Sequence, residues 1–234
     1  AATEDDPTTD QGGGLRRHFR KGGLANDTAW SVLHDVSQLI VMMSTFLLLS
    51  RTLRVSDYGR YAGIYGVVGP LGGLTWSGIC LAVLQRRLRE RDDVATTARD
   101  FFGLALGLGA SATLVGTAVG ATIISGLAVT AVLAVMFAEL FANAVNMVCL
   151  SMVQAEKGFA PATRLRMVVL AIRVTVLLTL AITGELSIAH LAIGYTIGFL
   201  GYLVVLVKVA LPHHGIPFTI GRTRGEAAKV TATI

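Results

Sequence analysis

Six long apolar stretches, separated by short polar gaps in which the basic residues cluster alternately, decide what this chain can fold into. They run roughly over residues 28–50, 58–84, 101–124, 126–154, 167–183 and 187–211. At 1.5 Å per residue most of them reach across a hydrocarbon core of ~30 Å, the fifth being the shortest. Residues 101–124 contain no Asp, Glu, Lys, Arg or His at all. With 53% hydrophobic and 15% charged residues and a mean hydropathy of +0.64, too little polar surface remains to coat a globule in water. Barrel strands alternate over ~10 residues, whereas these runs are continuous and about twice as long, so spanning helices are left to satisfy the backbone in lipid. The expected fold is an all-α integral membrane bundle of six transmembrane helices.

Orientation follows from the 20 basic residues. Arg16, Arg17, Arg20 and Lys21 precede the first stretch, and Arg86, Arg87, Arg89, Arg91 and Arg99 fall between the second and third. Lys157, Arg164 and Arg166 fall between the fourth and fifth, and Lys208, Arg222, Arg224 and Lys229 accompany or follow the end of the sixth. The other side carries Arg51, Arg54 and Arg60, and Arg173 alone lies inside a span. The positive-inside rule then places both termini in the cytoplasm. The basic balance is a topology signal, and with no aromatic-interleaved basic platform no nucleic-acid partner is expected.

Three segments result: a hydrophilic basic leader over 1–26, expected to be disordered and to meet anionic lipid headgroups; a six-span unit over 27–211; and a cytoplasmic tail or linker over 212–234. Cys80 and Cys149 lie within spans and are read as reduced, buried side chains, without a disulfide framework, metal site or cofactor. Glycine pairs at i, i+4 (59/63, 69/73, 103/107, 116/120 and 194/198) should let helices approach closely where lipid supplies no hydrophobic drive. Pro70, among Gly69, Gly72 and Gly73, should kink the second helix or interrupt its ladder.

Polar residues inside the spans point to function, since each costs several kcal/mol unless it faces water or a partner. On the first span Thr28, Ser31, Asp35, Gln38, Met42 and Thr45 share one helical face, and on the fourth Glu139, Asn143, Asn146 and Gln154 do. The fifth contributes Arg173. Asp35 and Arg173 each count to roughly 10 Å from the cytoplasmic side, which makes a depth-matched pair geometrically possible, with Glu139 nearer mid-bilayer. One reading is structural, with a buried ion pair and interhelical amide bonds. The other is a hydrated cavity lined by Asp35, Gln38, Glu139, Asn143, Asn146 and Arg173, in which Arg173 attracts an anionic group and Asp35 or Glu139 balances charge or binds a coupling cation. His34 and His190 read as interfacial. Metalloprotease, hydrolase and Asp-rich transferase motifs are all missing, so an enzyme is not expected.

At the end of the first span, Leu47-Leu48-Leu49-Ser50-Arg51-Thr52-Leu53-Arg54-Val55-Ser56-Asp57-Tyr58-Gly59-Arg60-Tyr61 resembles the start of polysaccharide-export proteins and oligosaccharide flippases of the MOP (MATE-like) superfamily. Arg51, Asp57, Tyr58, Gly59 and Tyr61 carry the resemblance: the arginine reaches headgroups, the tyrosines suit the interface and Gly59 permits tight entry into the second helix. The layout of basic leader, six helices, Arg-rich second gap, tight turn at Ser125-Gly126 and basic tail is similar over residues 25–211. The resemblance implies one six-helix lobe of a transporter that flips a polyprenyl-linked oligosaccharide across the bacterial cytoplasmic membrane during polysaccharide biosynthesis, its (pyro)phosphate and sugars passing through the cavity while the tail stays in lipid. Members normally have two such lobes, so a second lobe or a homodimer partner is expected and the chain reads as a fragment that does not transport alone. The alternatives are a MATE-like cation exporter using Asp35 and Glu139, and a non-transporting membrane scaffold of a polysaccharide-assembly complex.

Overall fold

The computed structural model describes residues 21–90 and 92–220, and the described residues form helices and turns with no strand. The basic leader over 1–20, Arg91, and the tail from 221 with Arg222, Arg224 and Lys229 lie outside the described residues. Six helices are long and apolar enough to cross a membrane, and the protein is an all-α membrane bundle. They are α1 (Lys21–Thr52), α2 (Val55–Glu90), α3 (Val94–Ile123), α4 (Val129–Lys157), α5 (Phe159–Thr183) and α6 (Ile188–His213).

Local chemistry sets most of these ends. The Asp93 carboxylate accepts from the backbone N–H groups of Ala95 and Thr96 to start α3, and the Ser187 hydroxyl accepts from His190 N–H to start α6. Gly158, at φ +87°, makes the whole turn between α4 and α5. The tight turn expected at Ser125-Gly126 spans 124–128, with Gly126 at φ +78°.

Several boundaries differ from expectation, with α1 starting at Lys21 and α3 at Val94, each about two turns early. The fifth helix begins at Phe159, not near 167, so Arg164 and Arg166 lie on a helix wall instead of in a loop. Pro161 sits in its first turn, where the missing N–H costs nothing. The second helix runs on to Glu90, so Arg86, Arg87 and Arg89 are helical as well, and Arg99 belongs to α3. Buried Arg86 reaches Asp92 at 3.1 Å and the fully buried Asp100 at 3.2 Å, its guanidinium 5.9 Å from the Phe101 ring centre. Arg87 pairs with Glu156. The arginine cluster thus bolts α2, α3 and α4 together at their basic end, beyond the topological role read from the sequence.

Helix α4 is the hub, packing on α2, α3, α5 and α6, whereas α1 rests mainly on α5. Within the most apolar windows 67% of α4 is buried against protein but only 6% of α1 and of α5, which leaves those two for lipid or a further wall. The glycine stripes do not all mark contacts. A Cβ on Gly116 or Gly120 would press on Met136 or Val132 of α4, and on Gly194 or Gly198 on Val176 or Ile172 of α5. At Gly59, Gly69, Gly73 and Gly107 it would meet open space, so Gly59 is not there to admit a close neighbour. Past α6, Ile216 is buried and Phe218 packs on Phe102 at 4.6 Å, so the start of the expected free tail is fastened to the bundle.

Pro70 lies within continuous helix, and from Gly73 to Ser77 the ladder widens into a π turn. Further π turns cover Arg86–Glu90, Phe137–Ala142 and Leu206–Ala210. Such turns insert a residue and re-aim side chains, often at functional sites.

Candidate functional site

A cleft of about 360 Å³ opens among α1, α2, α4 and α5. Its walls carry His34 and Gln38 from α1, Trp76 from α2, Glu139, Asn143 and Asn146 from α4, and Arg166 and Arg173 from α5, with Met147, Leu150, Val169 and Leu170 between them. The sequence places these groups by helical arithmetic. Arg166 and Arg173 are seven residues apart, about two turns and 10 Å along one face, and Asn143 and Asn146 follow Glu139 at i+4 and i+7. Two of the four π turns among the described residues contribute, one carrying Trp76 and the other Glu139. A Cβ at position 72 would fall inside the Trp76 indole, so glycine there is what lets the ring lie over its own helix.

At the inner end, Arg173 Nη2 donates to both carboxylate oxygens of Glu139 at 2.7 Å, and Tyr65 Oη donates to Glu139 Oε1 at 3.0 Å. The Tyr65 ring leans on Tyr61 at 4.7 Å, and Tyr195 flanks a small void beside the pair. The carboxylate is 8% exposed, while the arginine side chain is 37% exposed. With three charge-assisted or phenolic hydrogen bonds the buried charge is compensated, which is the condition for such a pair to be tolerated.

Arg173 therefore pairs with Glu139 and not with Asp35. Counted from Phe159, Arg173 lies about 21 Å along α5, deeper than the late start expected for this helix implied. Across the α1–α5 contact, the Arg164 guanidinium lies over the Trp30 ring at 5.3 Å. The Asp35 side chain is 73% exposed and touches its neighbour His34 Nδ1 at 3.1 Å. The face of α1 turned to the cleft is that of His34 and Gln38. Of the residues expected to line a cavity, Gln38, Glu139, Asn143, Asn146 and Arg173 are brought together and Asp35 is not. Gln154 sits at the rim, where it accepts from Arg166 Nη2 at 3.2 Å.

Tyr65, Trp76, His34 and Arg166 are site residues that sequence reasoning missed. Arg166 was within reach, because Gly158 followed by Pro161 is a helix-start signal that would have moved the residue from loop to wall. Tyr65 lies one turn after Tyr61 on the same face.

The residues 51–61 motif works at the opposite end from the basic cluster. Asp57 and Arg60 pair at 2.9 Å, and Arg60 Nε donates to Ser125 C=O at 3.1 Å, tying the start of α2 to the α3–α4 turn. Tyr58 meets Phe46 of α1 edge-on at 5.6 Å, and Tyr61 supports Tyr65 and so Glu139. Arg51 is exposed in the last turn of α1, where a cation complements the helix dipole. Comparison with family models, curated proteins and solved structures finds no match for the chain.

Proposed function

We propose that this six-helix unit holds the head of a lipid-linked oligosaccharide while it is translocated across a bacterial cytoplasmic membrane in polysaccharide biosynthesis, with both termini cytoplasmic. The observation that carries the reading is a polar cleft inside an apolar bundle, combining guanidinium groups, amides and an aromatic wall. Its volume falls within the ~300–1,000 Å³ usual for small-molecule sites and suits a head group rather than a whole glycan. Planar amides and an indole suit sugar hydroxyls and ring faces, and cationic groups suit phosphate. The likeness of residues 51–61 to polysaccharide-export proteins points the same way.

Charge favours this reading over cation export. The cleft is lined by Arg166 and Arg173 against the single carboxylate Glu139, which Arg173 already neutralises, and Asp35 is turned out of it. A cation entering here would meet net positive charge. The exposed Asp35, turned out of the cleft, needs water or protein next to it, since lipid cannot solvate it. A second six-helix unit, as a further lobe or a second copy, supplies that wall in this account.

A photo-crosslinking side chain at Leu150, which lines the cleft, should capture a radiolabelled polyprenyl-diphosphate sugar in membranes. The same side chain at Leu133, exposed on α4 outside the cleft, should not. Equal capture at both positions, or none at Leu150, would count against substrate entering this cleft.

A further inference from the structure

Two polar atoms of the cleft walls are left without a partner, and they ask for opposite things. Arg166 Nε is buried and donates to nothing, and the rest of its guanidinium reaches only the neutral Gln154. Among the described residues it forms no ion pair, in contrast to Arg173. Asn146, 2% exposed, spends its Nδ2 on Asn143 Oδ1 at 3.3 Å, and its own Oδ1 is buried and accepts from nothing. An unmade bond to a buried donor or acceptor is costly, more so for a charged group. A ligand that completes the site must therefore offer an anionic acceptor to Arg166 and a hydroxyl donor to Asn146. Sulfate, which carries no hydroxyl at neutral pH, satisfies the first demand alone and a free sugar the second alone.

We propose that Arg166, Asn146 and the Trp76 wall form a head-group subsite for a glycosyl phosphate, with the phosphate on Arg166 and a sugar hydroxyl on Asn146. Arg173, held by Glu139, is the structural floor of the cleft and not its anion receptor. Arg166 stands about 10 Å along α5 from Phe159, near the basic end, where a phosphate arriving from the cytoplasmic leaflet meets the cleft first. The subsite rests on the reading of the cleft as the substrate path. The required chemistry, a hydroxylated phosphate, is offered by a lipid-linked sugar and also by a glycerol-phosphate lipid headgroup, and the test separates the two.

The chain has two tryptophans, Trp30 and Trp76, so Trp30→Phe leaves the cleft indole as the sole reporter. In phosphatidylcholine nanodiscs, glucose 1-phosphate should change Trp76 fluorescence saturably. Arg166→Gln should weaken that binding at least tenfold, and Arg166→Lys, which keeps the charge, should weaken it less. Asn146→Ala should weaken glucose 1-phosphate binding several-fold while leaving the response to sulfate, an anion with no hydroxyl to donate, unchanged. If Arg166→Gln is not monodisperse, the Arg166→Lys and Asn146→Ala comparison decides. Equal affinities for glucose 1-phosphate across all these variants would overturn the subsite, as would loss in Asn146→Ala of sulfate and sugar phosphate alike. Phosphatidylglycerol in the disc should not compete; competition would identify a lipid-headgroup site and overturn the sugar-phosphate assignment. Capture of lipid-linked sugar at Leu150 without any Trp76 response to glucose 1-phosphate would sink the subsite alone, and loss of both would sink the substrate path with it.

Discussion

Arg173→Ala should destabilise the bundle by about 3 kcal/mol, the lower end of what is lost when one partner of a buried ion pair is removed. Glu139 would keep only Tyr65 while staying almost wholly buried. The figure is kept low because Arg173 borders the cleft, where water screens part of the attraction. Glu139→Ala should cost less, since the guanidinium left behind is 37% exposed and can turn to that water. The double variant should recover part of the Arg173→Ala loss, the coupling expected of groups in direct contact. Reversible unfolding in mixed detergent micelles checks the ordering, and a double variant worse than both singles would show that the two residues do not stabilise each other.

Arg86→Ala should have the largest effect, about 3–5 kcal/mol, because it leaves a carboxylate with no access to water and only the half-exposed Arg99 at 3.8 Å beside it. Asp100 is fully buried, its Oδ2 depends on Arg86, and its Oδ1 has no hydrogen bond, only Arg99 Nε at 3.8 Å. Asp100→Asn should cost much less, because Arg86 keeps Asp92 at 3.1 Å and Glu90 at 3.7 Å. Adding Asp100→Asn to Arg86→Ala should restore most of the stability by removing the stranded charge. The same unfolding measurement tests it, and a double variant no more stable than Arg86→Ala would mean that Arg86 acts through packing on Phe101 instead.

The six spans were legible because lipid imposes one requirement, a long uninterrupted apolar helix, and the sequence meets it in every stretch. Boundaries were less legible where charge intruded. Arg164 and Arg166 read as loop residues because arginine inside a span is costly, yet Arg164 lies over Trp30 near the start of α5 and Arg166 faces the cleft. The polar face of α4 could be read because Glu139, Asn143 and Asn146 obey helical spacing in an otherwise apolar run. The partner of Arg173 could not, since depth was counted from a helix start set eight residues too late. Trp76 was hidden for another reason: a π turn shifts every later residue around the helix, and nothing in periodicity at 100° per residue announces it. Asp35 shows the limit of face arithmetic, which gives an angular range but not which edge of it turns inward.

What passes through the cleft separates a lipid-linked sugar flippase from a cation exporter. With the protein purified from its own membrane so that any second six-helix unit is retained, and reconstituted in liposomes, a fluorescent polyprenyl-diphosphate sugar should become inaccessible to an external quencher within minutes. Protein-free vesicles should show only background, and ethidium should not be taken up. Background movement of the lipid-linked sugar together with rapid ethidium uptake would contradict the account and make the protein a cation exporter.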